Sequence, residues 1–290
     1  MREIERCPVC EAEVFVELYP ATFEGTWQDA LPYFLSRRRK VVRGRTVRCV
    51  ACGFVATSPQ FEPHEYAQIY AGVEGGLGSS APAERRYREL RSRAIRLRSA
   101  GRLLDFGCRD DGFLRVMGEF SGMGFDLGPA AALIWDGRVA RGGFEALLTH
   151  VERSGERFDL ITAWDVFEHV PELVDTVVGL RGLLARGGRL LCSLPDLSSP
   201  AARLGGRSWN CMLLEHLWYF DARTFGQFAR KCGFRVLETS PLAFWADLGA
   251  LGGRLRQSSG FAPKLPGFLA RRTLPFPAGL MFVVLERLGE

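Results

Sequence analysis

The stretch from Arg102 to Leu114, reading RLLDFGCRDDGFL, constrains this chain more than any other. A short apolar run (Leu103, Leu104) ends in an acid, Asp105, and the chain then turns at Gly107. Phe113, Leu114, Val116 and Met117 follow with the spacing of a helix start. Strand, glycine turn and helix in that order build a nucleotide-type cofactor site at the carboxyl end of the first strand of an open α/β sheet. Glycine lets the backbone pass close to a ligand, and the start of the helix offers N–H groups without intrahelical partners.

The rest of the chain reads in the same class. Candidate strands are Arg102–Phe106, Gly122–Asp126, Arg138–Gly142, Phe158–Ala163, Gly188–Leu194, Phe234–Thr239 and Gly279–Glu286, with helical stretches at Gly112–Phe120 and Glu172–Leu184. Alternation of this kind predicts a doubly wound, mostly parallel sheet of seven strands covered on both faces. An arginine-rich helix from Ala83 to Ser99, with Tyr87, Leu90, Ala94 and Leu97 on one face, precedes the first of them. At 290 residues the chain can hold one large core or two smaller ones.

Ahead of that framework lie two cysteine pairs, Cys7-Pro8-Val9-Cys10 and Cys49-Val50-Ala51-Cys52. The opening residues MREIERCPVC lack an apolar core segment, and the longest apolar run, Ala278 to Leu285, falls short of the ~18 residues of a membrane span. A cytoplasmic location without a transmembrane segment is therefore expected, where cysteines stay as thiols or metal ligands. Two C-x-x-C turns each aim two thiolates at one point, which is what a tetrahedral, structural Zn2+ needs. A redox pair and coincidence are the competing readings. The expected organisation is a zinc-ribbon-like domain over 1–60, with a hairpin or helix inserted between the pairs. A linker over 61–82 and a main domain over 83–290 follow, the latter with an insertion or lid at 243–277.

Five further segments occur in a fixed order: LLDFGC (103–108), GMGFDLGP (122–129), RFDLITAWDVFEHVPE (157–172), LLARGGRLLCSLP (183–195) and EHLWYFDARTFGQFARKCGF (215–234). Together they resemble the class I S-adenosylmethionine-dependent methyltransferases, in a bacterial subgroup that often carries an N-terminal cysteine knuckle pair. The resemblance implies a Rossmann-like fold and S-adenosylmethionine as cofactor. It places the cofactor loop at Asp105, Gly107, Cys108 and Arg109, and the ribose on Asp126 with Leu127 beside it. A strand-tip carboxylate can bridge two vicinal hydroxyls, as in dinucleotide folds. The adenine would meet Phe144 and Glu145, with Gly143 where a polar residue is usual, and the methionine moiety would meet Ala163 and Trp164.

Asp165, Glu168 and His169 form a second cluster, at offsets that place them on one side of a helix or turn. Their pattern resembles that of the ubiquinone-biosynthesis O-methyltransferases, in which such residues are implicated in holding a divalent metal near the substrate. A sulfonium leaving group needs no metal, but a neutral hydroxyl nucleophile gains from deprotonation, and histidine is the natural base near neutral pH. The competing reading is that Glu168 and His169 cap a helix opening at Pro171. His216, set among Leu217, Trp218, Tyr219 and Phe220, is either a second substrate-side residue or a packed core histidine.

One departure from the family pattern matters. The glycine loop usually reads D-x-G-x-G-x-G, and here Arg109 and Asp111 stand at the second and third glycine positions, with Gly112 one step late. Three accounts are open: the turn is rebuilt so that Gly112 serves, Arg109 reaches the cofactor carboxylate, or cofactor affinity is lost. The first function class is accordingly a methyltransferase acting on a small-molecule acceptor, at oxygen on a sugar, polyketide-like or lipid-linked intermediate. A non-catalytic methyltransferase-like binding scaffold is the second, and an RNA methyltransferase the third. The net charge of +5 comes from dispersed arginines, with lysine only at Lys40, Lys231 and Lys264, which does not make a nucleic-acid stripe. The segment 243–277 sits where this fold carries a substrate lid or a homodimer contact.

Overall fold

The computed structural model describes residues 1–34, 42–72, 80–128, 130, 132–249 and 266–289. Three strands, β1 (Phe15–Tyr19), β2 (Thr46–Cys49) and β3 (Val55–Thr57), and a short helix, α1 (Trp27–Ala30), come first. Helices α2 (Pro63–Gly72) and α3 (Ala81–Leu97) lead into β4 (Gly101–Phe106), α4 (Gly112–Val116), β5 (Phe120–Leu127), β6 (Ile134–Asp136) and β7 (Val139–Gly142). Then come α5 (Phe144–Ser154), β8 (Phe158–Trp164), α6 (Leu173–Leu183), β9 (Leu184–Pro195), α7 (Pro200–Gly205), β10 (Trp218–Tyr219), α8 (Ala222–Lys231), β11 (Phe234–Asp247), α9 (Gly267–Ala270) and β12 (Thr273–Arg287).

The large sheet runs β11-β12-β9-β8-β4-β5-β7-β6. β4 lies at its centre, pairing in parallel with β5 on one side and β8 on the other. β7 and β9 extend the parallel set, while β12 enters antiparallel between β9 and β11, with Val283 opposite both Cys192 and Thr239. Leu103, Leu104 and Phe106 of β4 and Leu160, Ile161 and Ala163 of β8 are all buried. Such uninterrupted burial marks central strands covered on both faces. α3 closes one face with Leu90 and Ala94, and α6 covers the other with Leu173, Val177 and Leu180.

Several expectations need correction. Among the described residues the sheet has eight strands, not seven, because Ile134–Asp136 folds back antiparallel on β7; all three residues are exposed, so no apolar alternation announces the strand. β11 and β12 run to Asp247 and from Thr273, so both ends of the 243–277 segment are paired strand, and 250–265 lies outside the described residues. α4 stops at Val116, four residues early, where Met117 leaves helical geometry. Leu97 is 41% exposed at the last turn of α3 and takes no part in the core. α6 begins at Leu173 with Glu172 at its cap, beyond Pro171, which removes the capping role considered for Glu168 and His169.

The cysteine-bearing segment does not stand apart. β1, β2, β3 and β10 form one antiparallel sheet, so a strand from residues 218–219 completes it. Between the cysteine pairs sit both a strand and a short helix, β1 and α1. The glycine-rich part of the 61–82 segment falls partly on residues 73–79, outside the described residues.

Candidate functional site

The strand order reverses between β4 and β8, and in open α/β sheets the crevice at the carboxyl ends of such a pair receives the ligand. Gly107 opens the loop after β4 at φ +72°, and a Cβ there would overlap the side chain of Val166, so the loop after β8 lies directly on it. The N–H groups of Gly107 and Cys108 both donate to the Phe125 carbonyl, at 2.7 and 3.1 Å. Arg109 adopts φ +58°. The second glycine position therefore keeps a left-handed backbone although its residue has changed, and the Arg141 guanidinium braces it by donating to the Arg109 carbonyl at 2.5 Å. Gly112 does not replace the missing glycine. Its N–H donates to Asp110 Oδ1 at 2.7 Å, and a Cβ there would stand 2.8 Å from the Tyr87 ring, so its bareness accommodates α3.

Asp105 is buried and accepts a hydrogen bond from the Thr162 hydroxyl of β8 at 2.6 Å. Burial pushes its carboxyl up to about 7, against the pull of that bond. Asp126 closes β5 and accepts from the Leu127 N–H at 2.9 Å. Burial raises its carboxyl as well, with the nearby charges of Arg141 and Arg109 opposing. Leu127 is partly exposed at the strand end. Phe144 and Glu145 open α5 after the cap Gly143, and the Phe144 ring meets Phe106 edge-on at 5.6 Å. Ala163 is fully buried, and Trp164 stacks on Phe282 at 6.1 Å and meets Phe113 edge-on at 5.3 Å.

Past Trp164 the chain turns through Asp165 at φ +53°. The Asp165 carboxylate pairs with Arg86 of α3 at 2.6 Å and accepts from the Ser193 hydroxyl at 2.7 Å. A 3-10 turn over Phe167–His169 then brings Glu168 and His169 beside His216. Their donor atoms lie within 4.8 Å of one another, close enough to grip one small polar group or a divalent cation. The two imidazoles meet edge to face with centroids 4.7 Å apart. His216 Nδ1 lies 2.7 Å from the Cys211 carbonyl and His169 Nδ1 lies 3.0 Å from the Glu215 carbonyl. A carbonyl only accepts, so each Nδ1 carries a proton, and a neutral ring so held keeps its lone pair on Nε2. Burial holds His216 neutral, its basicity well below the usual range, with the neighbouring His169 acting in the same direction. Glu168 is buried and pushed well above the ordinary carboxyl range by burial and then by Asp165. Its Oε2 and the Trp164 indole N–H are buried without a hydrogen-bond partner among the described residues.

A family model described as a methyltransferase domain matches residues 81–239, more than half of the chain. The chain belongs to this methyltransferase family. It is an S-adenosylmethionine-dependent enzyme by that membership. Among solved structures, a methyltransferase from Clostridium acetobutylicum ATCC 824 shares 12% identity over 78% of this chain and 97% of its own, with a TM-score of 0.41. Another from Archaeoglobus fulgidus shares 14% over 71% and 94%, with a TM-score of 0.46. No curated protein matches the chain.

The methyltransferase cleft fits its cofactor. Asp126 is a strand-tip carboxylate, the chemistry that grips vicinal hydroxyls in dinucleotide folds, Arg109 turns left-handed in the loop after β4, and Trp164 Nε1 and Glu168 Oε2 are buried without partners among the described residues. The cysteines fit a metal equally well. Cys7 Sγ lies 3.6 Å from Cys52 Sγ, and Cys10 Sγ lies 3.6 Å from Cys49 Sγ. Thiolates at ~2.3 Å from one tetrahedral zinc are separated by about 3.8 Å, whereas a disulfide would close to ~2.0 Å. Arg223 donates to the Cys52 carbonyl at 2.6 Å and Lys231 to the Pro8 carbonyl at 2.9 Å, placing two cations of α8 beside the four cysteines.

Four residues of the site escaped sequence reasoning: Thr162, Ser193, Arg86 and Tyr70. Thr162 and Ser193 lie within apolar strand runs, and Arg86 is one of many arginines on α3. Tyr70, whose hydroxyl lies 3.2 Å from His169 Nδ1, comes from the segment read as linker. No local spacing links these residues to the cleft; only the sheet order brings them there.

Proposed function

We propose that this methyltransferase transfers the methyl group of S-adenosylmethionine to an oxygen of a small-molecule acceptor, with His169 as the general base. The observation that carries the reading is the pair of imidazoles whose Nδ1 atoms both donate to backbone carbonyls and which lie side by side with the Glu168 carboxyl on the turn after β8. The cofactor supplies a methyl group that is already activated toward attack. Asp126 holds the ribose hydroxyls, the Asp105–Gly107–Cys108–Arg109 loop and Leu127 line its path, Phe144 and Glu145 flank the adenine, and Ala163 and Trp164 flank the methionine end. His169 Nε2 takes the acceptor's hydroxyl proton as its oxygen attacks, and His216 Nε2 and neutral Glu168 hydrogen-bond the acceptor. Asp165 acts indirectly, since Arg86 and Ser193 occupy its carboxylate. The test is transfer of an isotopically labelled methyl group to components of a small-molecule extract. His169→Ala is expected to lower the rate at least 100-fold with binding of the demethylated cofactor retained; an unchanged rate would remove His169 from the mechanism.

Residues 1–60 in this reading form a module holding one structural zinc on Cys7, Cys10, Cys49 and Cys52, joined through 61–82 to the catalytic unit of 83–290. Two observations speak against an RNA substrate. Four arginines of α3 pair within the protein, Arg86 with Asp165, Arg88 with Glu84, Arg91 with Glu119 and Arg93 with Glu89, and Arg98 just past its end pairs with Asp159. Arg85 lies over the Trp245 ring at 5.8 Å. A phosphate-binding face needs cations that are not already committed. Among the described residues no helix is long and apolar enough to cross a membrane.

A further inference from the structure

Residues 55–72 lie outside the segment matched by the family model, yet they touch both histidines of the acceptor site. Thr57, the last residue of β3, is buried, and its hydroxyl donates to the His216 carbonyl at 2.8 Å. Its N–H donates to the Leu217 carbonyl at 2.9 Å, and the Leu217 N–H in turn donates to the Glu168 carbonyl at 2.7 Å. A chain of hydrogen bonds thus runs from the cysteine-bearing sheet through the 216–217 backbone to the turn that carries Glu168 and His169. Two more bonds fasten the same junction. Trp218 Nε1 donates to the Val170 carbonyl at 2.6 Å, and the His216 N–H donates to the Leu213 carbonyl at 3.2 Å. On the other side, α2 brings the Tyr70 hydroxyl to 3.2 Å from His169 Nδ1, with the Tyr70 ring set edge-on to His169 and packed against Phe34.

These contacts have a direction. The cofactor-side residues Asp105, Gly107 and Asp126 are held by β4, β5 and β8, within the matched segment. The imidazoles are held from inside it by the Cys211 and Glu215 carbonyls, and from outside it by Tyr70 against the His169 ring and by Thr57 on the His216 backbone carbonyl. Catalytic groups lose much of their effect when displaced by about 1 Å, and neither histidine sits on a long helix or strand that would fix it unaided. We propose that Thr57 and Tyr70 are positioning residues for methyl transfer, holding His216 and His169 in their edge-to-face arrangement beside Glu168. The cysteine module thereby becomes a working wall of the acceptor site. This rests on the assignment of the two histidines to that site.

The chain has four histidines, His64, His150, His169 and His216, so their ring signals can be resolved individually in zinc-loaded protein carrying isotopically labelled histidine. Thr57→Val keeps the strand pairing and the side-chain shape but removes the hydroxyl. It is expected to weaken the ring-to-ring contact between His169 and His216 at least twofold and to move both ring signals, while His64 and His150 stay in place. Affinity for S-adenosylhomocysteine, measured by calorimetry, is expected to stay within threefold. Thr57→Ser, which retains the hydroxyl, is expected to restore the wild-type spectrum. Tyr70→Phe keeps the ring and is expected to move His169 more than His216, which preserves the test should the Thr57 variant fold poorly. A Thr57→Val spectrum identical to wild type, or a Thr57→Ser spectrum displaced as far as that of Thr57→Val, would overturn the proposal, as would an unmoved His169 in Tyr70→Phe. The spectra report on ring placement whether or not His169 is the base, so failure of the positioning and failure of the base assignment give different results.

Discussion

Asp105, at the end of β4 before the Gly107 turn, is buried against Thr162 with its carboxyl pushed up to about 7. The sign of the resulting pH dependence follows. An unfolded aspartate ionises near 3.8, so between there and about 7 the unfolded chain has released a proton that the folded protein still holds. Stability from this group is complete below pH 3.8 and is lost as pH rises toward 7. Asp105→Asn, which keeps the acceptor for Thr162, is expected to match wild type at pH 4 and exceed it at pH 8 by up to about 4 kcal/mol in cofactor-free protein. Denaturant titrations at the two pH values check this, and a constant gap would contradict it. Arg109 carries a second residue-scale prediction. A left-handed arginine costs roughly 1 kcal/mol relative to glycine, so Arg109→Gly is expected to raise the unfolding midpoint by a few degrees in thermal melts. The departure from the glycine pattern was visible in sequence, but its outcome was not, because φ depends on the brace from Arg141 on another strand.

At the scale of elements, apolar periodicity located the interior strands and missed those that the periodicity does not govern. β4, β8 and β9 are buried through most of their length and β5 through its middle, and runs such as Leu103–Leu104 and Leu190–Leu191 announce them. β6 is three exposed residues and carries no such signal. β11 and β12 outrun their expected ends because beyond Leu242 and Leu280 they pair chiefly with each other, through Phe244 opposite Phe276 and Asp247 opposite Thr273, where alternating burial fades. The cysteine turns were legible because two C-x-x-C pairs have few other uses, whereas the partnership of β3 with β10, more than 160 residues away, left no local trace. The metal reading makes an element-scale prediction. Purified protein is expected to contain about one zinc per chain, and Cys49→Ser to lose most of it and become more susceptible to proteolysis around β2 and β3. Elemental analysis and limited digestion read both, and a wild-type protein without bound zinc would sink the assignment.

Across the whole molecule, the order β7-β5-β4-β8-β9 with an antiparallel β12 set between β9 and β11 fixes where chemistry takes place. It puts the loop after β4, proposed for the cofactor, next to the turn after β8, proposed for the acceptor, with Val166 lying on Gly107. The same sheet order explains what the sequence concealed: residues 70, 86, 169, 193 and 216 are scattered along the chain and meet only because their elements end at one edge. The arginine surplus behaves likewise, reading as a diffuse charge in sequence and as a set of intramolecular ion pairs on and just past α3 in the fold. The central claim is that this crevice, with Arg109 in a glycine's conformation, holds S-adenosylmethionine with its ribose on Asp126. Calorimetry with S-adenosylhomocysteine tests it most directly. The account predicts one site per chain and an affinity at least tenfold weaker in Asp126→Ala, as loss of hydrogen bonds to a charged group implies. Folded, zinc-loaded protein that takes up no ligand, or an Asp126→Ala variant that binds as tightly as wild type, would contradict it.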